Sequence, residues 1–338
     1  MTAGRHAARR DRPRAPRALA ALLGLLLAVG AGTASAFDLQ AHRGGRGLWP
    51  ENTLAAFSQA LELGVDTLEL DIGLTADDVV VVSHDGALNP SHTRGADGAW
   101  LVAEGAPIRS LTLAGLQRHD VGRIKPETPY ARQFPAQVGR DGETIPTLAA
   151  VFALAAARGA TTVRFNIETK IDPTRPDATA SPEAMVDALL AEVDRAGLAR
   201  RVTIQSFDWR TLARVAERAP TLPRAYLTSA RGNLRDRRWT TGLDPAAFAS
   251  TPALVKAAAG ADASAVTWSP SAGDVTADAV REAHALGLGV VPWTVNDPVA
   301  MARLIGLGVD GLITDRPDLL RDVMRERGLP LPPPSAAR

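Results

Sequence analysis

The chain has 338 residues, 46% hydrophobic and 22% charged, with a formal net charge of +1 and no cysteine. That length supports one large core or two ordinary domains, and the missing cysteines exclude a disulfide framework, a lipidated N-terminal cysteine and any thiolate metal site. Residues 1–36 hold six arginines and one acid; the remaining 32 basic and 36 acidic residues give a net of −4, which excludes a polycationic nucleic-acid binder.

At the N-terminus, Arg5, Arg9, Arg10, Arg12, Arg14 and Arg17 precede the apolar run Ala18–Gly32, and Ala34-Ser35-Ala36 follows in small-x-small order. This is the layout of a cleaved secretory signal. The apolar run falls short of the roughly 20 residues of a spanning helix. Residues 1–36 are therefore expected to be removed, leaving a periplasmic or secreted protein with no stable membrane span. The expected mature unit is a single domain over 37–328, and the tail Leu329–Arg338, with four prolines, is expected to be disordered.

From residue 38 onward, β-rich runs alternate with Ala- and Leu-rich helical patterns. A strand at Asp38–His42 precedes a helix at Thr53–Leu63, which Asn52 or Thr53 would cap. A second strand, Asp66–Asp71, is followed too closely by Val79–His84 for a parallel crossover. A hairpin turning near Ala76–Asp78 is the economical reading, and it brings His84 to about the level of Glu69. The Gly-, Pro- and polar-rich stretch at about 87–144 reads as an insertion over the barrel mouth. Six further pairs follow a helix at Leu148–Arg158. Their strands are Thr162–Glu168, Val202–Ser206, Arg224–Leu227, Ala265–Trp268, Gly289–Val295 and Gly311–Thr314. Their helices are Pro182–Ala196, Trp209–Arg218, Asp244–Ala259, Asp278–Leu286, Pro298–Leu307 and Pro317–Arg327. Eight strand–helix pairs argue for an α/β fold, a (β/α)8 TIM-type barrel.

Polar residues concentrate at the strand ends. His42 and Arg43 close the first strand. In LELDI, Glu69 and Asp71 share one face because side chains alternate along a strand. The leucines pack outward, so the two acids look into the barrel mouth and repel each other unless a cation lies between them. His84 ends the valine run, and RFNIETK places Asn166, Glu168 and Lys170 on one face. Three acids in an oxygen-only setting favour one divalent cation, Ca²⁺ or Mg²⁺ with Mn²⁺ as a third candidate. Arg43 and Lys170 beside such an ion form a clamp for an anionic tetrahedral group, most naturally a phosphodiester. His42 and His84 can then act as general base and general acid.

The strings AHRGGRGLWPENTLAAF, LELDIGLTADDVVVVSHD, IPTL, NIETK, QSFD, PWTVN and GVDGLITDRPDLL, in this order from Gln40 to Leu320, resemble the glycerophosphodiester phosphodiesterases. The resemblance implies acid/base roles for His42 and His84 and metal ligation by Glu69, Asp71 and Glu168. It implies phosphate contacts from Arg43 and Lys170, substrate-lining positions for Gln205 and Trp293, and a PENT motif around Glu51. It further implies metal-dependent hydrolysis of a small glycerophosphodiester to sn-glycerol 3-phosphate and an alcohol, through a cyclic phosphate. Two departures stand out: Thr75-Ala76-Asp77-Asp78 replaces the family's TKDG turn, and the usual basic residue soon after HD is replaced around Asn89-Pro90-Ser91. Two competing readings are a phospholipase D-like cleavage of lysophospholipids that stops at the cyclic phosphate, and a non-catalytic envelope protein that binds phosphodiesters.

Overall fold

In a computed structural model, residues 1–4, 37–260 and 265–335 are described. The expected signal lies outside them except for its first four residues. The elements run β1 (Asp38–Ala41), α1 (Leu54–Leu63), β2 (Thr67–Leu74), β3 (Val80–Val82), α2 (Leu113–Leu116), α3 (Pro129–Gln133), α4 (Leu148–Ala157) and β4 (Arg164–Thr169). Then come α5 (Pro182–Ala196), β5 (Val202–Ser206), α6 (Trp209–Arg218), β6 (Arg224–Thr228), α7 (Thr251–Ala259) and β7 (Val266–Pro270). The chain finishes with α8 (Ala277–Ala285), β8 (Gly289–Val290), α9 (Pro298–Gly306), β9 (Gly311–Thr314) and α10 (Pro317–Glu326).

The strands pair in the order β8-β7-β6-β5-β4-β2-β1-β9, every neighbour parallel. Across the remaining seam, Asp310 N–H donates to Val290 O (2.9 Å), Ile313 N–H to Pro292 O (3.0 Å) and Val295 N–H to Ile313 O (3.0 Å). The result is a near-closed parallel eight-stranded barrel of the TIM type. Off this path β3 lies antiparallel on β2, with Ile72 opposite Val82, as the hairpin reading requires. The pairing continues through Ser83 N–H to Asp71 O (2.9 Å), and the register places His84 within one residue of the level expected for it.

Alternation sorts the side chains. Leu39, Leu68, Leu70, Ile72, Phe165, Ile167 and Ile204 point outward and are fully buried against the helices. Their neighbours point inward and are polar. Asn166 Nδ2 donates to Gln40 Oε1 (2.8 Å) and Gln205 Oε1 (2.9 Å), giving the barrel a hydrogen-bonded amide layer. Helix α1 is capped by Thr53, whose hydroxyl accepts from Ala56 N–H at 3.1 Å. Asn52 is therefore not the cap.

Three expectations need correction. The strand foreseen at Gly289–Val295 is regular only over Gly289–Val290, because Pro292 has no N–H to give the ladder. The helix foreseen at Asp244–Ala259 is split into a 3-10 turn, Pro245–Ala247, and α7. Ser250 caps Ala253 N–H and Pro252 sits in the first turn, so a new helix starts there. The tail is also not loose over 329–335. Leu329 and Leu331 pack on the core, Arg321 NH1 donates to Pro332 O (2.8 Å), and Ser335 N–H donates to Leu61 O (2.8 Å).

The insertion carries its own small apolar cluster, with Leu88, Ile108, Leu116, Val121 and Ile145 packed on Val81 of the hairpin. It is tied to the mouth by Val138 N–H to Leu48 O (2.8 Å) and Gln137 Nε2 to Arg46 O (2.7 Å).

Candidate active site

The site is built at the C-terminal ends of the barrel strands, where the backbone turns away and leaves inward side chains facing open space. After β1 the chain makes a 3-10 turn at His42–Gly44, with Arg43 at φ 51° and Gly44 at φ 80°. A Cβ on Gly44 would stand 2.9 Å from Ala56 Cβ, so only glycine lets the turn press on α1. That turn aims Arg43 N–H at Glu69 Oε2 (2.9 Å).

Glu69 and Asp71 from β2 and Glu168 from β4 converge, with ligand oxygens all within 4.8 Å of one another. All three carboxylates are buried. Glu69 accepts from Gln205 Nε2 (2.6 Å), Asp71 from Asn52 Nδ2 (3.0 Å), and Glu168 from Lys170 Nζ (2.7 Å). Arg43 reaches Glu51 (2.8 Å) and Asp71 (3.2 Å). Burial, with Asp71 and Glu168 alongside, pushes Glu69 well above the usual carboxylate range. Burial likewise pushes Glu168 up to about 7, against the pull of Lys170. For Asp71 the burial penalty is outweighed by Arg43, His84 and Lys170, and its affinity for a proton falls.

Four carboxylates (Glu51, Glu69, Asp71 and Glu168) face two cations (Arg43 and Lys170) in this cluster. Two negative charges are left over, which one divalent ion would balance. Asp71 Oδ1 is buried and has no hydrogen-bond partner. An oxygen-only donor set with an orphaned carboxylate oxygen fits a hard divalent cation, so the triad can hold a metal ion.

The two histidines flank this cluster, and each leans on a carboxylate. His42 Nδ1 is 2.5 Å from Asp315 Oδ1, and its Nε2 is 4.0 Å from Glu69 Oε2. Asp315 also accepts from Arg46 Nε (2.7 Å) and Asn296 Nδ2 (2.7 Å). Burial pushes the His42 imidazole down to about 4, even with Asp315 pulling upward. His84 Nδ1 lies 2.9 Å from Asp85 Oδ1, and burial followed by Lys170 and Arg43 lowers its proton affinity.

A cavity of about 130 Å³ is lined by His42, Arg43, Glu69, His84, Glu168, Gln205, Phe207 and Trp293. Trp293 is held by Nε1 donating to Ser269 O (2.9 Å) and by edge-on contact with Phe207 at 5.2 Å. A larger chamber of about 490 Å³ adjoins it, sharing His84, Glu168 and Phe207 and adding Lys170, Trp239 and residues of the insertion. Every residue singled out from the sequence thus lies on or directly behind these two connected spaces. Sequence reasoning missed Asp315, Asn52 as a partner of Asp71, and Tyr130, whose hydroxyl donates to Glu51 from the insertion. Polar residues just beyond strand ends were the available signal, but their partners lie far along the chain.

A family model described as the glycerophosphoryl diester phosphodiesterase family matches residues 42–319. A glycerophosphodiester phosphodiesterase of Caldanaerobacter subterraneus subsp. tengcongensis is 30% identical over 288 residues, covering 85% of this chain and 98% of that one. A solved structure from Silicibacter pomeroyi, bearing a glycerophosphoryl diester phosphodiesterase designation, matches with a TM-score of 0.78 and 36% identity. That match covers 87% of this chain and 95% of the other. An Oleispira antarctica phosphodiesterase, solved in complex with the product sn-glycerol-3-phosphate, shares the fold at a TM-score of 0.61 and 23% identity, over 86% and 97% of the two chains.

Proposed function

This chain belongs to the glycerophosphoryl diester phosphodiesterase family, which hydrolyses glycerophosphodiesters, and from that premise we propose a two-histidine mechanism running through a cyclic phosphate. The observation that supports it is the meeting of a buried carboxylate triad with two carboxylate-braced imidazoles on one cavity. One divalent cation, Ca²⁺ or Mg²⁺, held by Glu69, Asp71 and Glu168 supplies positive charge that offsets the charge of the phosphodiester.

Arg43 and Lys170 add fixed cations beside the same space and orient the phosphate. One histidine of the pair His42 and His84 takes the proton of the glycerol 2-hydroxyl as its oxygen bonds to phosphorus. The other gives a proton to the departing alcohol oxygen as the P–O bond breaks, leaving a five-membered cyclic phosphate. In the second half the roles reverse. Water loses a proton to the second histidine as it attacks phosphorus, and the ring oxygen leaves with the proton held by the first. The product is sn-glycerol 3-phosphate, and both histidines return to their starting state. Gln205 fixes Glu69 through its amide, and Trp293 with Phe207 forms the wall against which the substrate packs.

The test is release of glycerol 3-phosphate from glycerophosphocholine by chain stripped of metal and then given Ca²⁺ or Mg²⁺, followed by phosphorus NMR. Activity restored by metal, with a transient cyclic phosphate, is the expected result. Accumulation of the cyclic phosphate alone would favour the phospholipase D-like reading. Tight binding without turnover under every metal would favour the binding protein.

The layout of residues 5–36 supports export with cleavage after Ala36. N-terminal sequencing of protein from the producing cell is expected to begin at Phe37, and a start at Met1 would rule the cleavage out.

A further inference from the structure

The insertion contributes a histidine that the chemistry above leaves unused. The His92 side chain is largely buried, and both of its ring nitrogens are buried without a hydrogen-bond partner. Buried polar atoms are seldom left so, because each carries an uncompensated loss of hydration. The nearest counter-charge is Asp85: His92 Nε2 lies 3.6 Å from Asp85 Oδ2, too long for a hydrogen bond but within ion-pair range. Asp85 uses its other oxygen, Oδ1, to hold His84. The two imidazoles thus share one carboxylate, one on each oxygen.

The opposite side of the site shows what such an arrangement does. There Asp315 holds His42 through Nδ1 while the guanidinium of Arg46 holds Asp315. Asp315 is 2% exposed and also takes Asn296, so it cannot turn. Asp85 is 33% exposed, and besides Asn89 Nδ2 at 2.7 Å no arginine or lysine among the described residues lies within ion-pair range of it. Its second oxygen, Oδ2, is tied only to the neutral amide of Asn89, a weaker hold than the guanidinium that Asp315 has, unless a cation joins it. We propose that His92 is a positioning residue: as an imidazolium it anchors Asp85, so that Asp85 holds the His84 ring in register for proton transfer.

Asp85, Glu51, Tyr130 and Arg43 face His92 from the neighbouring elements. Burial lowers its proton affinity, but Asp85 and Glu51 more than offset that, and Arg43 opposes them only in part. In the other direction, Asp85 is held ionised because His84 and His92 outweigh its own burial. The insertion is therefore a working part of the site, bracing its solvent-facing histidine from behind.

This inference rests on the reading that His84 moves a proton, so the test has one arm that needs no turnover. His92→Gln and His92→Lys would be made in the full metal-loaded chain. Glycerophosphocholine kinetics would be measured alongside ¹⁵N NMR of the His84 ring. Losing the anchor is expected to lower kcat in His92→Gln by about tenfold, typical of a residue that orients a reactive imidazole from behind. KM should stay within about twofold, since the loss falls on the chemical step. The His84 ring signals should shift in His92→Gln. A restored positive charge in His92→Lys should bring kcat back to within about threefold of the parent. Unchanged kcat in His92→Gln, or a Lys variant as slow as the Gln variant with His84 signals unmoved, would overturn the proposal. If the parent shows no turnover, the mechanism above fails, and the His84 signals alone decide: a shift in His92→Gln upholds the positioning role, and no shift ends it.

Discussion

Asp315→Asn is expected to lower kcat for glycerophosphodiester hydrolysis by about 10³-fold while leaving KM nearly unchanged. The reason lies in which nitrogen of His42 carries the proton. Asp315 accepts at 2.5 Å from Nδ1, so in the neutral imidazole the lone pair is on Nε2, the end that faces Glu69 and the cavity. An asparagine can turn its NH₂ toward Nδ1 and so favour the opposite tautomer. Nε2 would then hold a proton when it needs a free lone pair. Asp315 is also the shared partner of Arg46 and Asn296, so the change relaxes both. Steady-state kinetics with matched metal saturation would measure the split. A fall in metal affinity with kcat preserved would instead mean that Asp315 serves the carboxylate cluster.

Glu168→Gln should show opposite signs in two assays. Activity should fall by about 10³-fold or more, because the triad loses one of its three negative ligand charges. The metal-stripped protein, however, should melt about 2–4 °C higher than the parent. Burial keeps the Glu168 carboxyl protonated up to about pH 7, from a usual 4.5. A carboxyl whose folded pKa is raised favours the fold below the unfolded pKa, and that support is lost as pH rises through the folded pKa. Glutamine stays neutral throughout and still offers an oxygen to Lys170. The gap between variant and parent should therefore widen from pH 5 to pH 8. Differential scanning calorimetry of the two metal-free proteins tests this, and an equal or lower melting point for Glu168→Gln at pH 8 would refute it. Added metal should raise the parent's melting temperature and barely move the variant's.

Much of the site is legible in the sequence because strands report their faces directly. Charged residues two apart between leucines, as in Glu69 and Asp71, have one reasonable orientation in a barrel. The hairpin was legible too, since a chain of so few residues has no other way to pair. What escaped the sequence involves partners brought together by closure of the barrel. Asp315 sits in a TDRP string that reads as an ordinary helix start, and nothing local says that its ligand is His42. His92 lies in a polar insertion whose packing against Asp85 depends on the insertion's own small core. The tail misled for a related reason. Four prolines exclude helix and ladder, but they do not prevent an extended strand of backbone from serving Arg321 and Leu61.

The pair His42 and Asp315 spans 273 residues, and the neighbouring seam joins β1 to β9. Neither can form while the ribosome still holds the last strand. At about 5–20 residues per second, the first strand waits on the order of tens of seconds for its outer neighbour. A nascent chain therefore holds Arg43, Glu69, Asp71, His84 and Glu168 well before His42 gains the carboxylate that holds its ring.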